Sequence, residues 1–78
     1  MMREVAPGII SDPDILSGKA TLKGHRLPVA QLLAQMAGGM TPQEIQDDYE
    51  LTDAEMQAIL NYAAQIASER DVAYAQQP

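Results

Sequence analysis

The stretch TPQEIQDDYELTDAEMQAIL, residues 41–60, contains two helix starts eleven residues apart. At each start a threonine is followed three residues later by a glutamate. This is the pattern of a capping box, in which the two residues satisfy each other's backbone donors. The boxes begin at Thr41 and Thr52, and the proline after Thr41 suits the first position of a helix. The stretch predicts a short helix to about Tyr49, a tight turn and then another helix.

The regions on both sides of this stretch are also helical in pattern. Apolar residues before it fall at i, i+3, i+4, i+7 and i+8, namely Val29, Leu32, Leu33, Met36 and Ala37. A helix is therefore predicted from about Pro28 to the glycine pair at 38–39, which provides a C-cap. The last helix has no breaker before Pro78, and its apolar side consists of Met56, Ile59, Leu60, Ala63, Ile66 and Ala67.

Residues 1–27 carry strand and turn signals instead. Residues 9–11 and 20–23 predict two short paired strands, with turns at residues 12–14 and 17–18. Residues 1–8 are predicted to be a flexible arm. The predicted fold class is mainly α, a single domain over residues 1–78. It has a hairpin and turn over 9–27 and a three-helix, helix-turn-helix-like bundle over 28–75, with a long C-terminal helix.

The composition limits how this small domain is stabilised. The chain has 78 residues, no cysteine and one histidine, which excludes disulfides and thiolate metal sites. A core of this size is marginal without added support. We therefore expect a homodimer or a higher homo-oligomer. No cofactor or metal is expected.

The apolar segments are short, and the N-terminal residues lack the apolar stretch of a signal peptide. The sequence thus predicts no membrane span and a cytoplasmic location. It also predicts no enzyme, because no nucleophile, base and oxyanion donor can be assembled from its residues. The pair Asp47-Asp48 lacks the spacing of a calcium loop.

Charge is divided unevenly along the chain, whose net charge is −6. Residues 1–41 hold four basic and three acidic residues, which gives +1, and residues 42–78 hold one basic and eight acidic residues, which gives −7. The acidic half favours a basic protein partner. Contacts to nucleic-acid phosphates are expected from the other half, at Lys19, Lys23, His25 and Arg26, with Arg3 as a further contact.

The stretch LKGHRLPV, residues 22–29, raises the question of an anion site. The helix near Pro28 begins without a capping side chain, so its first N–H groups need other partners. One interpretation is that a phosphate binds there beside the basic residues. The other is that Asp12 or Asp14 accepts these N–H groups, while Arg26 pairs with Asp47 or Asp48.

The two closely spaced helices also raise the question of DNA binding. Helix-turn-helix proteins read base edges with the second helix of such a pair. Here that helix begins with Asp53 and Glu55, whose charges oppose phosphates. The pattern therefore favours three packed helices over a base-reading motif.

Several of these residues together resemble the signature of the DUF433 family. The matching runs are Asp12-Pro13-Asp14-Ile15, Gly18-Lys19 and residues 22–29, followed by Gly39-Met40-Thr41, Glu44-Ile45, Tyr49, Leu51-Thr52, Ile59 and Tyr62-Ala63. The resemblance covers roughly residues 9–65. Gly24, Arg26 and Pro28 match the G-x-R-x-P positions of the signature. His25 stands in place of the usual threonine, Ser17 in place of glycine and Thr21 in place of valine.

The family is similar to VapB-type antitoxins and is often paired with PIN-like nuclease toxins. The resemblance implies a bacterial antitoxin that binds and neutralises such a toxin. The end of the last helix has no other segment to cover it, so we expect a partner interface there, most simply with a second copy of the chain, at Ile66, Arg70, Val72 and Tyr74. Arg70 would reach toward the toxin's carboxylates, or pair within its own helix. The alternative function is a dimeric DNA-binding transcriptional autoregulator.

Overall fold

The fold consists of three short strands followed by three helices. The structure, a computed structural model, describes the backbone of residues 1–75 and the side chains of residues 1–69. The strands are β1 (Arg3–Ala6), β2 (Ile9–Ser11) and β3 (Thr21–Leu22), with one 3₁₀ turn at Leu16–Gly18. The helices are α1 (Val29–Ala37), α2 (Pro42–Tyr49) and α3 (Asp53–Ala75).

The strands form one antiparallel sheet in the order β1-β2-β3. The predicted pairing of β2 with β3 is confirmed, with Ile9 opposite Leu22 and Ile10 opposite Thr21. The flexible arm predicted for residues 1–8 is wrong, because β1 pairs along β2 with a bulge. The turn at Gly8, where φ is +80°, returns the chain directly into β2. The mainly α class is accordingly corrected to a mixed α/β fold.

The three helices lie where the capping and periodicity signals place them. Both capping boxes are complete: the N–H of Glu44 donates to Thr41 Oγ1 at 3.1 Å, and that of Glu55 donates to Thr52 Oγ1 at 3.1 Å. The Thr41 and Thr52 N–H groups donate back to the glutamate carboxylates at 2.9 Å. The turn between α2 and α3 is short because Glu50 adopts the left-handed conformation at φ +56°.

The core lies between the sheet and the three helices. Its fully buried side chains come from every layer of the fold: Ile9, Leu22, Val29, Leu32, Ile45 and Ile59. Each is an apolar residue from a predicted strand or helix face. The apolar faces predicted for the strands and helices therefore pack into one core.

Thr21 is the exception in this core. Its side chain is fully buried, and its Oγ1 has no hydrogen-bond partner among the residues whose side chains the structure describes. A buried hydroxyl without a partner loses the hydrogen bonds that water gave it in the unfolded chain. The neighbouring backbone is paired, with Thr21 bridged to Pro28 and opposite Ile10.

Helix α3 is much longer than its neighbours. Its 23 residues span about 34 Å, whereas the nine residues of α1 and the eight of α2 span about 13 and 12 Å. The end of α3 therefore runs past the shorter helices. None of the helices in the described part of the chain combines the length and apolarity needed to cross a membrane.

Candidate functional site

The turn that connects β3 to α1 carries the family signature and is closed by backbone hydrogen bonds. The N–H of His25 donates to the Leu22 carbonyl at 3.0 Å, and the N–H of Leu22 donates to the Leu27 carbonyl at 3.2 Å. Gly24 has a φ of +83°, a conformation that strains other residues. The turn is thus a rigid joint between the sheet and the helices.

The side chain of His25 fixes this joint to the start of α3. Its Nε2 lies 2.8 Å from Glu55 Oε2, and each side chain is between a quarter and a third exposed. Glu55 is also the glutamate of the second capping box, so one carboxylate holds both the helix start and the signature turn. Sequence reasoning missed this pair because 30 residues separate its members.

These contacts change the pKa of the Glu55 carboxyl group. Its pKa is lowered from the usual carboxyl value of 4.5, mainly by the Thr52 backbone N–H; partial burial opposes this and the His25 side chain adds to it. When folding lowers the pKa of a carboxyl group, the ionised group stabilises the fold at pH values above the unfolded-state pKa. This stability is lost as the pH falls through the folded-state pKa. The capping contact of Glu55, with the contact to His25 beside it, therefore makes folding sensitive to acid.

We expect Glu55→Gln to reduce the acid sensitivity of the fold. Glutamine keeps the capping geometry but removes the titrating carboxylate. Urea unfolding should show that the free energy of unfolding falls less in this variant than in the wild type as the pH drops from about 5 through the region below 4.5. Glu44→Gln isolates the capping contribution, because the pKa of Glu44 is also lowered, mainly by the Thr41 backbone N–H, although Glu44 does not contact His25. This variant should therefore also reduce the acid sensitivity, through the capping contact alone. Equal pH dependence of Glu55→Gln and wild type would contradict the assignment.

The start of α1 is satisfied by the chain's own backbone. The N–H of Val29 donates to the Ala20 carbonyl at 2.9 Å, and no side chain caps the helix. The expected capping by Asp12 or Asp14 is wrong: the Asp12 carboxylate instead accepts the Asp14 N–H at 2.9 Å. The Val29 N–H, one of the first N–H groups of α1, thus has its partner within the chain, in the residue just before β3.

The basic residues of the N-terminal half differ in their partners. Lys23 lies 3.9 Å from Glu4, in an exposed pair, and His25 is bound to Glu55. Lys19 and Arg26 are exposed and make no ion pair with residues 1–69. The expected pairing of Arg26 with Asp47 or Asp48 is therefore not formed.

An acidic face, which we define as Asp47, Asp48, Glu50 and Asp53, lies at the end of α2 and the start of α3. All four side chains are exposed. Their side-chain hydrogen bonds come from neutral amides, with Gln43 donating to Asp47 at 2.9 Å and Gln46 donating to Asp53 at 2.8 Å. No lysine, arginine or histidine in the described part of the chain forms an ion pair with them.

An apolar groove of about 600 Å³ opens between α1 and the middle of α3. The residues that form its walls are Pro28, Val29, Leu33, Tyr62, Ala63 and Ile66, and Lys19 lies at its rim. Ile66 was predicted to be an interface residue and lies in this wall. The side chains of Arg70, Val72 and Tyr74, predicted for the same interface, lie outside the residues described.

Comparison with known proteins identifies relatives of this fold. A model of the family described as "Protein of unknown function (DUF433)" matches residues 9–63. A crystal structure of a DUF433 member protein from Anabaena variabilis ATCC 29413 is similar, with a TM-score of 0.71 and 28% sequence identity. The similarity covers 88% of this chain and 69% of that one. No curated protein matches the chain.

Proposed function

Because the chain belongs to the DUF433 family, we propose that it is the antitoxin of a bacterial toxin–antitoxin module, which binds and neutralises a PIN-like nuclease toxin. The resemblance of the family to VapB-type antitoxins supplies the class of partner. The fold supplies a surface with suitable charge. In this proposal the protein acts by binding and does no chemistry of its own.

The observation that carries the proposal is the acidic face. Lys23 and His25 each have a carboxylate partner within the chain, whereas Asp47, Asp48 and Glu50 have no cationic one among residues 1–69. A nuclease that binds RNA must present a basic surface to the phosphates. Complementary charge speeds the encounter of two such surfaces and selects the partner.

The distal end of α3 provides a second element for binding. It runs past α1 and α2, as the helix lengths show. A projecting helix can lie in a groove of a partner protein, and this is a recurring mode of recognition. We therefore assign the end of α3 to the toxin interface, together with the acidic face.

A DNA-binding autoregulator is the second candidate function. The helices α2 and α3 are joined by only three residues, and α3 exposes Gln57 and Asn61. Both residue types read base edges in helix-turn-helix proteins. Here the two side chains bond each other at 2.8 Å. Phosphate contacts would come from Lys19, Lys23 and Arg26.

The acidic face is tested by neutralising its charge. We expect the triple variant Asp47→Asn, Asp48→Asn, Glu50→Gln to bind the PIN-like nuclease that the wild-type chain captures in a pull-down at least about tenfold more weakly at low salt. The control variant Glu4→Gln, Asp12→Asn, Asp14→Asn has the same net charge and should bind like wild type. Binding is measured by calorimetry and nuclease inhibition with the co-purified pair.

Further variants test the role of the end of α3 and the DNA-binding autoregulator function. A chain truncated after Ala67 should lose affinity for the toxin while keeping its thermal unfolding transition. Equal binding by both triple variants would reject the acidic face, and no binding by the wild type would reject the antitoxin proposal. DNA binding that weakens with salt, and is reduced in Lys23→Ala and Arg26→Ala, would favour the autoregulator.

A further inference from the structure

We infer that the apolar groove between α1 and α3 is the interface between two copies of this chain, with α3 of each copy lying along the groove of the other. The groove is lined by α3 residues up to Ala67. It is therefore separate from the acidic face and from the end of α3 beyond Ala67, which the proposed function assigns to the toxin. The groove walls are the residues through which the chain associates with itself.

The helical segments around the groove carry no charged residues. No Asp, Glu, Lys or Arg occurs in residues 27–43, which include α1, or in residues 56–68, which form much of α3. Two copies that each carry a net charge of −6 repel one another. They can approach closely only through surfaces free of like charge, and the centres of protein interfaces are depleted in charged residues.

The walls of the groove include several short side chains. Ala63 and Ala67 of α3 line the groove together with Ala30 of α1. These short side chains let another helix approach closely, because the distance between packed helices depends on the side chains at the contact. Tyr62 and Ile66 provide the apolar area. The uncharged part of α3, thirteen residues long, extends about 20 Å and can lie in the groove of a second copy.

The chain exposes more surface than a compact monomer of its mass. The chain of 8.5 kDa exposes 5387 Å². A compact folded monomer of that mass exposes about 4,650 Å², so the excess is roughly 700 Å². A standard stable interface buries about 800 Å² on each partner. The excess over the whole chain is thus close to the area that one copy would bury in such an interface.

The occupant is a second copy rather than a basic protein because of the charge around the groove. Lys19 is the single charged residue on its walls within the described part of the chain. A basic partner would gain nothing from this surface and would be attracted to the acidic face instead. The two surfaces therefore respond to salt in opposite ways: screening weakens binding at the acidic face and strengthens self-association.

The test is sedimentation equilibrium of the purified chain at about 0.05 and 0.5 M NaCl. We expect a dimer whose dissociation constant falls as salt increases. Ala67→Glu places a carboxylate in the groove wall and should raise the dissociation constant at least about tenfold, because an unpaired charge would have to be buried. Ser68→Glu is the matched control: it adds the same charge to the next, exposed residue, about 100° around the helix, and should remain dimeric.

Circular dichroism of both variants verifies that the helices still form, since each substitution is on the exposed surface of α3. A wild-type chain that remains monomeric at all concentrations overturns the inference. A dimer that is unaffected by Ala67→Glu, or equally weakened by both variants, also overturns it, because the contact then lies elsewhere. None of these outcomes depends on whether a toxin binds.

Discussion

Ile59→Ala is expected to destabilise the fold by about 2–5 kcal/mol, the usual cost of deleting most of a buried isoleucine and leaving a cavity. Ile59 is fully buried and belongs to the core formed by the sheet and all three helices. A chain of this length has a total stability of only about 4–12 kcal/mol. The variant should therefore unfold at a temperature at least about 10 °C lower than wild type, as measured by circular dichroism.

The neighbouring residue Leu60 provides the control for this prediction. It lies on the same helix and is 36% exposed. Leu60→Ala should lower the free energy of unfolding by less than about 1 kcal/mol. Both variants must be compared at one protein concentration, because self-association adds to apparent stability. Similar losses in the two variants would show that this side of α3 does not face the core as described.

Thr21→Val is expected to make the protein more stable by about 1–3 kcal/mol, the cost of a buried polar group without a partner. Valine has nearly the shape of threonine, so the core should accept it without a cavity. The Oγ1 atom of Thr21 is fully buried and makes no hydrogen bond to residues 1–69. Urea unfolding at neutral pH measures the difference as a higher midpoint with an unchanged slope.

Thr21→Ser distinguishes the hydroxyl from the methyl group of this side chain. Serine keeps the unpaired hydroxyl and removes the buried methyl, so this variant should be less stable than wild type by about 1 kcal/mol. A Thr21→Val variant that is less stable than wild type would mean that the hydroxyl has a partner.

Much of the helical part of the fold could be predicted from local signals. The capping boxes at Thr41 and Thr52 act over three residues, and the structure confirms both. The glycine pair at 38–39 ends α1 as expected, since the helix stops at Ala37. These features depend on the backbone close to each residue, so the sequence alone is sufficient to locate them.

The first strand could not be predicted in this way. Residues 3–6 read REVA, which shows no clear alternation of apolar and polar residues. Their strand conformation depends on hydrogen bonds to β2, together with the turn at Gly8. An edge strand of this kind is stabilised by its neighbour rather than by its own propensity.

The candidate site was predicted less completely than the fold. The sequence identified the basic stretch at residues 22–29 and the uneven distribution of charge along the chain. It could not show that the basic side chains have different partners. In the structure each has different surroundings: Lys23 lies near Glu4, His25 binds Glu55, and Lys19 lines the groove. Contacts between residues far apart in the chain leave no periodic signal in a single sequence.

The sequence by itself determined the helix boundaries, the charge of each half and the joint at the signature turn, because propensity, capping and composition are properties of neighbouring residues. Only the tertiary structure decided that β1 completes the sheet, that Ala20 rather than an aspartate satisfies the start of α1, and that His25 binds Glu55. The physical reason is that these contacts form when packing brings distant segments together, and packing follows from burial of the whole core at once.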